Sequence, residues 1–308
     1  MSSWLLEVCK ITIGDLIINK KHLISVESST SISLVLNLLQ SENILSIAVY
    51  GIQGSWLGSG GINLISNHRQ YIGIVSILDI LIFILKGNPE TVLNHRIVDA
   101  IGSSNESLSL WVEPPSRPLY YALEQFSKGT HRALVHDSTD ENSPIKMITQ
   151  TDIVHYLIRH PSTFPHLETL FESPVGLIVN PYVDVVKKTS TMKEAIELLL
   201  VHSGVPVIDE DGSIITTLSV SDLRGVTNTS IALFHSQTVE EFLFILTTGG
   251  AVREPLMISV NTTIKEAAKI MYRNRVHRLW VEISPDTPHG GVITYTDIIR
   301  AIHTAERP

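Results

Sequence analysis

One arrangement of apolar and polar residues occurs four times along the chain. Aliphatic residues lead to a Ser or Thr, an Asp follows three positions later, and aliphatic residues then continue at helical spacing. The four copies are IGIVSILDILIFI around Asp79, IKMITQTDIVHYL around Asp152, ITTLSVSDLRGVT around Asp222 and GGVITYTDIIRAI around Asp297. Successive aspartates lie 73, 70 and 75 residues apart. A period this regular predicts four copies of one supersecondary unit.

A second recurring segment lies upstream of each Asp and is clearest in SVNTTIKEAAKIMYRNRVHRLWVEI, residues 259–283. Thr262 or Thr263 can cap a helix there, and VHRLWVEI then alternates as a strand does. The apolar positions of the helix follow the i, i+3, i+4, i+7 spacing at Ile264, Ala267, Ala268 and Met271. Each repeat is therefore predicted to run strand, helix, strand, strand, helix (β-α-β-β-α), in an α+β fold.

Basic residues recur where this helix meets the next strand. Counting 13 residues from Ile32, Pro118 and Ile264 gives Leu45, His131 and His277, and the next positions are Ser46, Arg132 and Arg278. Repeat three is two residues shorter at this point, so we expect it to have no counterpart. A basic pair is thus predicted in repeats two and four alone.

Changes in composition delimit the repeats. Connectors such as KGNPETVLNHR and RHPSTFPHLETLFESP place the four repeats at 11–87, 92–160, 172–230 and 236–304. The connector after repeat two is the longest, which predicts a division into two pairs. Repeat one also carries an insertion, GSWLGSGGINLISNHRQ, whose Gly and Ser content predicts a surface loop.

The composition and net charge exclude several classes of protein and of partner. The 308 residues are 44% hydrophobic, which is ample for packed cores, and the net charge is −8. That charge argues against nucleic acid or an anionic membrane as a partner. One cysteine excludes an internal disulfide, and neither a secretory signal nor a membrane-spanning run is present. We therefore expect a cytoplasmic protein.

The chain carries no recognisable catalytic constellation. It has no His-Glu-x-x-His, Cys-x-x-Cys or Gly-x-Ser-x-Gly motif, and its 13 histidines lack metal-ligand spacing. We therefore predict no catalytic residue, no metal site and no enzymatic activity.

The repeats together resemble the cystathionine-beta-synthase (CBS) domain, over residues of about 11 to 304. The best matches are VHRLWVE with GGVITYTDIIRAI, and THRALVHD with IKMITQTDIVHYL. Four copies with no appended catalytic domain are similar to the gamma subunit of AMP-activated and sucrose-non-fermenting-related protein kinases. The insertion in repeat one is most similar to the plant gamma-like members.

This resemblance implies a fold, a ligand and partners. The fold would be two pseudo-twofold tandem pairs arranged in a disc. The ligand would be AMP, ADP or ATP as a regulator, with no obligatory cofactor. The partners would be the catalytic (alpha) and beta subunits of a kinase, in the cytoplasm and also the nucleus. Two alternatives stay open: a CBS scaffold that binds no ligand, and an accessory CBS module that regulates another enzyme or a transporter.

The four aspartates have two candidate roles. By resemblance, each carboxylate accepts hydrogen bonds from the 2′ and 3′ hydroxyls of a ribose, with the preceding hydroxyl beside the ligand. The residues concerned are Asp79, Asp152, Asp222 and Asp297, with Ser76, Thr149, Ser219 and Thr294. The alternative is a capping box, because Ser/Thr-x-x-Asp before an apolar run satisfies the first amides of a helix. Capping accounts for all four copies without any ligand, so both roles stay open.

The basic pairs also have two interpretations. By resemblance, His131, Arg132, His277 and Arg278 face the nucleotide phosphates, for which a guanidinium offers a planar fork of donors. The alternative is that they are solvated charges. Three departures from the gamma-subunit pattern predict fewer occupied sites: Ser46 replaces a basic residue, repeat three lacks the junction, and Gly225 interrupts the helix after Asp222. In contrast, Asp152 stands where animal gamma subunits commonly have Arg, which predicts the use of a different subset of sites.

Overall fold

The structure is a computed structural model. It describes residues 10–52, 64–66, 69–87, 89–104, 107, 110–140, 143–161, 164–228, 230–231, 234, 236–247, 253–283 and 290–305. In the insertion of repeat one, residues 54–63 and 67–68 lie outside the described residues, so their prediction as a surface loop stays a prediction. The described residues of the insertion are in strands, at Leu64–Ser66 and at the start of Arg69–Ser76, so the loop prediction is wrong there.

The first two repeats each form a small sheet with helices packed on it. After helix α1 (Ile13–Leu16), repeat one contains β1 (Ser25–Glu27), α2 (Ile32–Ser41), β2 (Ser46–Ile52), β3 (Leu64–Ser66), β4 (Arg69–Ser76) and α3 (Ile77–Lys86). Helix α4 (Pro89–Val92) and a 3₁₀ helix (Ile97–Ala100) lead to β5 (Val112–Glu113), α5 (Leu119–Ser127), β6 (Arg132–Val135), β7 (Lys146–Thr149) and α6 (Gln150–Arg159) of repeat two.

The last two repeats follow the same order. Helix α7 (Pro165–Glu172) and a 3₁₀ helix (Val175–Leu177) lead to β8 (Val186–Lys187), α8 (Met192–His202), β9 (Gly204–Ile208), β10 (Ile214–Ser219) and a 3₁₀ helix (Val220–Gly225) of repeat three. Helix α9 (Val239–Leu246) leads to β11 (Met257–Ser259), α10 (Ile264–Asn274), β12 (Arg278–Glu282), β13 (Gly291–Thr294) and α11 (Tyr295–Thr304) of repeat four.

The sheets confirm the predicted α+β unit. In repeats two, three and four the first strand pairs in parallel with the second, which pairs antiparallel with the third. Repeat one has the same pairing, with β3 added as a fourth strand on the edge of β4. The described segment after Asp222 is a 3₁₀ helix instead of an α-helix, as the early Gly225 and the polar residues after it predict.

The register corrects one prediction about repeat three. Gly204 pairs with Ser219, and the amide of Val220 donates to the carbonyl of Ser203 at 3.1 Å. In repeat four, Arg278 pairs with Thr294 in the same way. The prediction that repeat three lacks this junction is therefore wrong, because Ser203 and Gly204 form it. Ser203 ends α8 in the left-handed conformation, with φ of 58°, as Arg275 ends α10 with φ of 55°. In repeat three the strand begins at the next residue, Gly204, without the two residues that separate Arg275 from β12.

The chain divides into two compact units, each built from alternate repeats. The even unit, formed by Met1–His22, Trp111–Val183 and Leu256–Pro308, contains repeats two and four. The odd unit, formed by Leu23–Leu110 and Asp184–Pro255, contains repeats one and three. Within the even unit, α11 packs against α5 and α10 packs against α6. The two compact units are therefore pairs of alternate repeats, and the long connector after repeat two does not separate them as the sequence predicts.

Each repeat begins with a lead segment ahead of its first strand, at 12–20, 96–104, 174–182 and 238–246. The first residue of each segment bridges to the residue before a helix of a different repeat: Thr12 to Pro118, Arg96 to Ser31, Pro174 to Thr263 and Thr238 to Thr191. Repeats one and two therefore exchange lead segments, and so do repeats three and four. This exchange links consecutive repeats, as expected of tandem pairs.

Apolar burial secures these contacts. Ile13, in the lead segment of repeat one, is fully buried in the even unit among residues of repeats two and four. Ile264, Ala267, Ala268 and Met271 are the buried face of α10, as the helical spacing predicts. In the part of the chain that the structure describes, no helix combines the length and the apolar character needed to cross a membrane.

Replacing Ile13 by Ala tests the exchange of lead segments. We expect the free energy of unfolding to fall by about 2–5 kcal/mol, because the change leaves a cavity in the core of the even unit. Urea denaturation measures the loss. The matched control is Ile18→Ala in the same segment, where the side chain is exposed and the change should stay within about 0.5 kcal/mol. Equal, small effects of both substitutions would contradict the packing of Ile13.

Candidate functional site

The four aspartates form capping boxes at the strand-to-helix junctions. In each box, Oδ2 of the Asp accepts the backbone N–H and the hydroxyl of the Ser or Thr three residues earlier. The N–H···Oδ2 and O–H···Oδ2 distances are 2.8 and 2.5 Å for Ser76, 2.8 and 2.7 Å for Thr149, 2.7 and 2.7 Å for Ser219, and 2.9 and 2.7 Å for Thr294. The capping alternative is therefore confirmed, and the ribose role stays a prediction.

The four aspartates share a sequence motif, but their carboxylates differ in burial and in hydrogen-bond partners. Asp79 is fully buried, and its Oδ1 has no hydrogen-bond partner. Asp222 is half-buried, and burial raises the pKa of its carboxyl group, against the lowering effect of hydrogen bonds from Ser219 and of the nearby charge of Arg253. A ribose could therefore reach Asp79 only after a rearrangement of the odd unit.

The carboxylates of the even unit are more accessible. The side chain of Asp152 is 17% exposed and forms an ion pair with Lys20, with Nζ 2.8 Å from Oδ2. The side chain of Asp297 is 14% exposed, and its Oδ1 accepts a hydrogen bond of 3.3 Å from Arg300, one turn further along α11. Both carboxylates can therefore contact a ligand from solvent.

Each capping hydroxyl residue lies directly opposite the first residue of the neighbouring strand. The pairs are Ser46 with Ser76, Arg132 with Thr149, Gly204 with Ser219, and Arg278 with Thr294. Residues opposite each other in an antiparallel pair have Cβ atoms about 4.5–5.5 Å apart. In repeats two and four this geometry sets a guanidinium beside a helix that begins with an Asp-containing capping box.

The preceding residue belongs to the same assembly. The first amide of α6 donates to the carbonyl of His131, and the first amide of α11 donates to that of His277, each at 3.4 Å. His131 is half-buried and His277 is exposed. The four predicted phosphate ligands therefore lie in one compact unit, each at the start of a helix with a capping Asp.

The starts of α6 and α11 contact each other inside the even unit. Gln150, the first residue of α6, donates from Nε2 to Thr296 Oγ1 at 2.9 Å. Tyr295, the first residue of α11, forms a side-chain hydrogen bond with Thr151. These contacts bring the two Arg-Thr-x-x-Asp assemblies together.

Stacking joins α6 to α10 in the same unit. The rings of His155 and Tyr272 stack with their centroids 3.6 Å apart and 9° between their planes. Burial and the nearby charge of Arg159 lower the pKa of His155, so its ring is mostly neutral at pH 7. The stacked histidine therefore adds little positive charge to this region. The positive charge at the helix starts comes from the basic pairs.

The electrostatics of this region favour an anion. The first amides of a helix carry a partial positive charge, and Arg132 and Arg278 add full charges beside two such ends. Burial lowers the pKa of Arg278 to about 10, while nearby Asp297 opposes this shift. The guanidinium therefore stays protonated at neutral pH but is poorly hydrated. A poorly hydrated guanidinium gains most from phosphate or carboxylate oxygens.

Comparison with a family model identifies two of the repeats. The CBS domain model matches residues 175–228 and 250–304, which fall in repeats three and four. These two segments of the chain are therefore similar to CBS domains. Repeats one and two have the same strand order and the same Ser/Thr-x-x-Asp step as the two matched CBS domains.

Individual proteins resemble this chain over nearly its whole length. The SNF1-related protein kinase regulatory subunit gamma-like PV42a of Arabidopsis thaliana is 28% identical in an alignment 339 positions long, gaps included. The alignment covers 96% of this chain and 95% of that protein. A crystal structure from Methanocaldococcus jannaschii, of a proposed archaeal homologue of g-AMPK, has a TM-score of 0.69 and 17% identity, and covers 95% of this chain and 100% of its own. At that identity the second match shows the fold alone.

A third similarity is partial. Protein sds23 of Aspergillus clavatus is 23% identical over 202 residues, which cover 61% of this chain and 38% of that protein. The chain therefore shares only a part of that fungal protein.

Two features of the site are not apparent in the sequence pattern. Lys20 lies 132 positions before its partner Asp152 and belongs to no recurring sequence motif, so only the exchanged lead segment brings it there. The contact between Gln150 and Thr296 likewise joins two repeats. Within the described ranges, His, Cys, Asp and Glu side chains form no group of three or more that could hold a metal ion.

The capping role can be measured directly. We expect Thr294→Ala to lower the free energy of unfolding by about 0.5–2 kcal/mol, because α11 loses the hydroxyl that caps the amide of Asp297. Thermal or urea denaturation measures the change. Thr304→Ala is the control at the opposite, exposed end of the same helix, and it should change stability by less than about 0.5 kcal/mol. No difference between the two variants would argue against the cap.

Proposed function

We propose that this chain is a CBS-domain protein that acts as a non-catalytic regulatory subunit of the gamma type. It binds an adenine nucleotide in the even unit and passes the occupancy of that site to a kinase of the SNF1-related or AMP-activated type. The observation that carries the proposal is the contact between two helix starts, each with its own Arg, capping Thr and Asp.

The chemistry of a nucleotide matches this arrangement. Phosphate oxygens accept charge-assisted hydrogen bonds from Arg132 and Arg278, with further donors from His131 and His277. Ribose hydroxyls donate to a carboxylate oxygen that the cap leaves available. Asp297 is the strongest candidate because its Oδ2 serves the cap, while its Oδ1 has only a long contact to the exposed side chain of Arg300.

The other two predicted ribose sites have less support. The junctions of the odd unit carry Ser46 and Gly204 where the even unit has arginines. Asp79 is closed to solvent, and Asp222 begins a 3₁₀ helix. Nucleotide binding is therefore assigned to the even unit.

The similarity to PV42a supports a kinase as the partner, because that protein is named a gamma-like regulatory subunit of a SNF1-related kinase. By this analogy the direct partners are the catalytic alpha and the beta subunits. A bound nucleotide would favour whichever arrangement of the subunit it binds more tightly, and the effect on the kinase is limited by that difference in affinity.

Calorimetric titration with AMP, ADP and ATP tests nucleotide binding. We expect Arg278→Ala to weaken binding of the preferred nucleotide about tenfold or more, because a hydrogen bond to a charged group contributes about 1.5–3 kcal/mol and 1.4 kcal/mol is tenfold. Asp297→Ala should weaken binding and also lower stability slightly. Arg273→Ala, on the exposed face of α10, is the matched control and should bind as the wild type does.

Two controls separate the loss of a ligand contact from the loss of the folded structure. Arg278→Lys keeps a positive charge, so it should bind better than Arg278→Ala, and denaturation midpoints show whether each variant is folded. Unchanged affinity in folded Arg278→Ala and Asp297→Ala proteins would exclude this pocket. Absence of heat and of a thermal shift with all three nucleotides would exclude nucleotide sensing.

Reconstitution with purified alpha and beta subunits tests the partner. We expect this chain to co-purify with them as a stable complex, because its PV42a relative is a subunit of the gamma-like type. Size-exclusion chromatography at equal concentrations measures complex formation. Elution of this chain separately from both subunits would contradict the proposal that it is a subunit of such a kinase.

A ligand-independent scaffold is the second candidate function. The capping boxes favour it, because they explain all four aspartates without a ligand, and Asp79 has no other accessible role. A complex with partner subunits that forms without any nucleotide binding would support the scaffold over the sensor.

A further inference from the structure

The lead segments of repeats one and three occupy equivalent places in the even unit. Thr12 bridges Pro118 and Pro174 bridges Thr263. Two residues later, the amide of Gly14 donates to Pro115 at 2.8 Å and the amide of Gly176 donates to Val260 at 3.0 Å. Counting eight residues from each bridge gives Lys20 and Tyr182.

The ends of both segments also run beside equivalent strands. Lys146, at the start of β7, donates to the carbonyls of Ile17 and Ile18 at 3.1 and 3.0 Å. At β13, Val292 and Asn180 exchange backbone hydrogen bonds of 2.9 Å. Lys20 and Tyr182 are therefore equivalent positions in the two lead segments, and Lys20 is paired with Asp152, the counterpart in repeat two of Asp297 in repeat four.

The side chains of Lys20 and Tyr182 differ in exposure and in their contacts. Lys20 is 35% exposed and places its ammonium group 2.8 Å from Oδ2 of Asp152, an oxygen that already accepts two hydrogen bonds from Thr149. The Tyr182 side chain is 84% exposed and has no side-chain partner among the described residues. Asp297 has no lead-segment side chain as a partner within the same described ranges.

We infer that Lys20 occupies the carboxylate of repeat two as an internal cation, so that the even unit has one open nucleotide site, at Asp297, with Tyr182 as its aromatic wall. This inference rests on the proposed function and adds which of two similar sites is used. A ribose at Asp152 would have to bind Oδ1 beside the ammonium group of Lys20, which lies 2.8 Å from Oδ2 of the same carboxylate. A ribose at Asp297 displaces only a long contact to an exposed Arg.

The two lead residues also differ in what they offer a ligand. The exposed ring of Tyr182 can stack on a purine, because every base has an aromatic face. Lys20 cannot stack, and its charge is already neutralised by Asp152. The lead segment thus determines which repeat binds, although the Thr-x-x-Asp step and the His-Arg pair are the same in both.

Counting sites by calorimetry with AMP, on the full chain, tests this inference. Lys20→Gln removes the ion pair, so we expect the number of AMP sites to rise by one, and adding Asp152→Asn should abolish that gain. Tyr182→Lys should weaken binding at the wild-type site at least tenfold. Lys21→Gln is the matched control, since Lys21 is the next residue, is exposed and forms no ion pair, so the number of sites should not change.

The outcomes separate this inference from the function on which it rests. Wild-type protein that binds AMP while folded Lys20→Gln has the same number of sites would overturn the role of Lys20 and leave the sensor intact. Loss of a wild-type site in the single variant Asp152→Asn would also overturn it. Absence of AMP binding in the wild type and in every variant would overturn the proposed function itself.

Discussion

The capping box at each strand-to-helix junction is the interaction on which the rest of the structure depends. One carboxylate oxygen holds the backbone and the hydroxyl of the capping residue, so the helix begins immediately after the strand ends. Because that capping residue also pairs with the first residue of the neighbouring strand, the box aligns a strand start with a helix start. Because the capping box recurs in all four repeats, the four strand-to-helix junctions are similar, and the side chains around them distinguish one from another.

A carboxylate used in this way can serve the fold and a ligand together. Capping occupies Oδ2 and leaves Oδ1 for other partners, and the surroundings decide what those partners are. Oδ1 of Asp79 is sealed in the odd unit, while Asp297 contacts an exposed Arg. At Asp152 the ammonium of Lys20 adds a third contact to Oδ2 itself. The same local chemistry therefore yields a structural cap, an internal ion pair and an open acceptor in different repeats.

Predictions from local patterns succeeded where the physics is local. The spacing of Ile264, Ala267, Ala268 and Met271 predicts the buried face of α10, and Ser/Thr-x-x-Asp predicts the caps. The count of residues failed at Ser203, because β9 begins directly after the residue that ends the helix, whereas in repeat four two residues separate Arg275 from β12. Contacts such as Lys20 with Asp152 were not predictable, since no periodicity relates the two residues.

The sequence by itself determined the repeat, the order of strands and helices within it, the caps, and the restriction of basic pairs to repeats two and four. Each of these depends on residues close together in the chain. Tertiary structure decided that repeats two and four share one core, that consecutive repeats exchange lead segments, and that Lys20 and Tyr182 occupy equivalent positions. Those outcomes depend on contacts between different repeats, such as Thr12 with Pro118, which burial of apolar surface selects and local patterning does not.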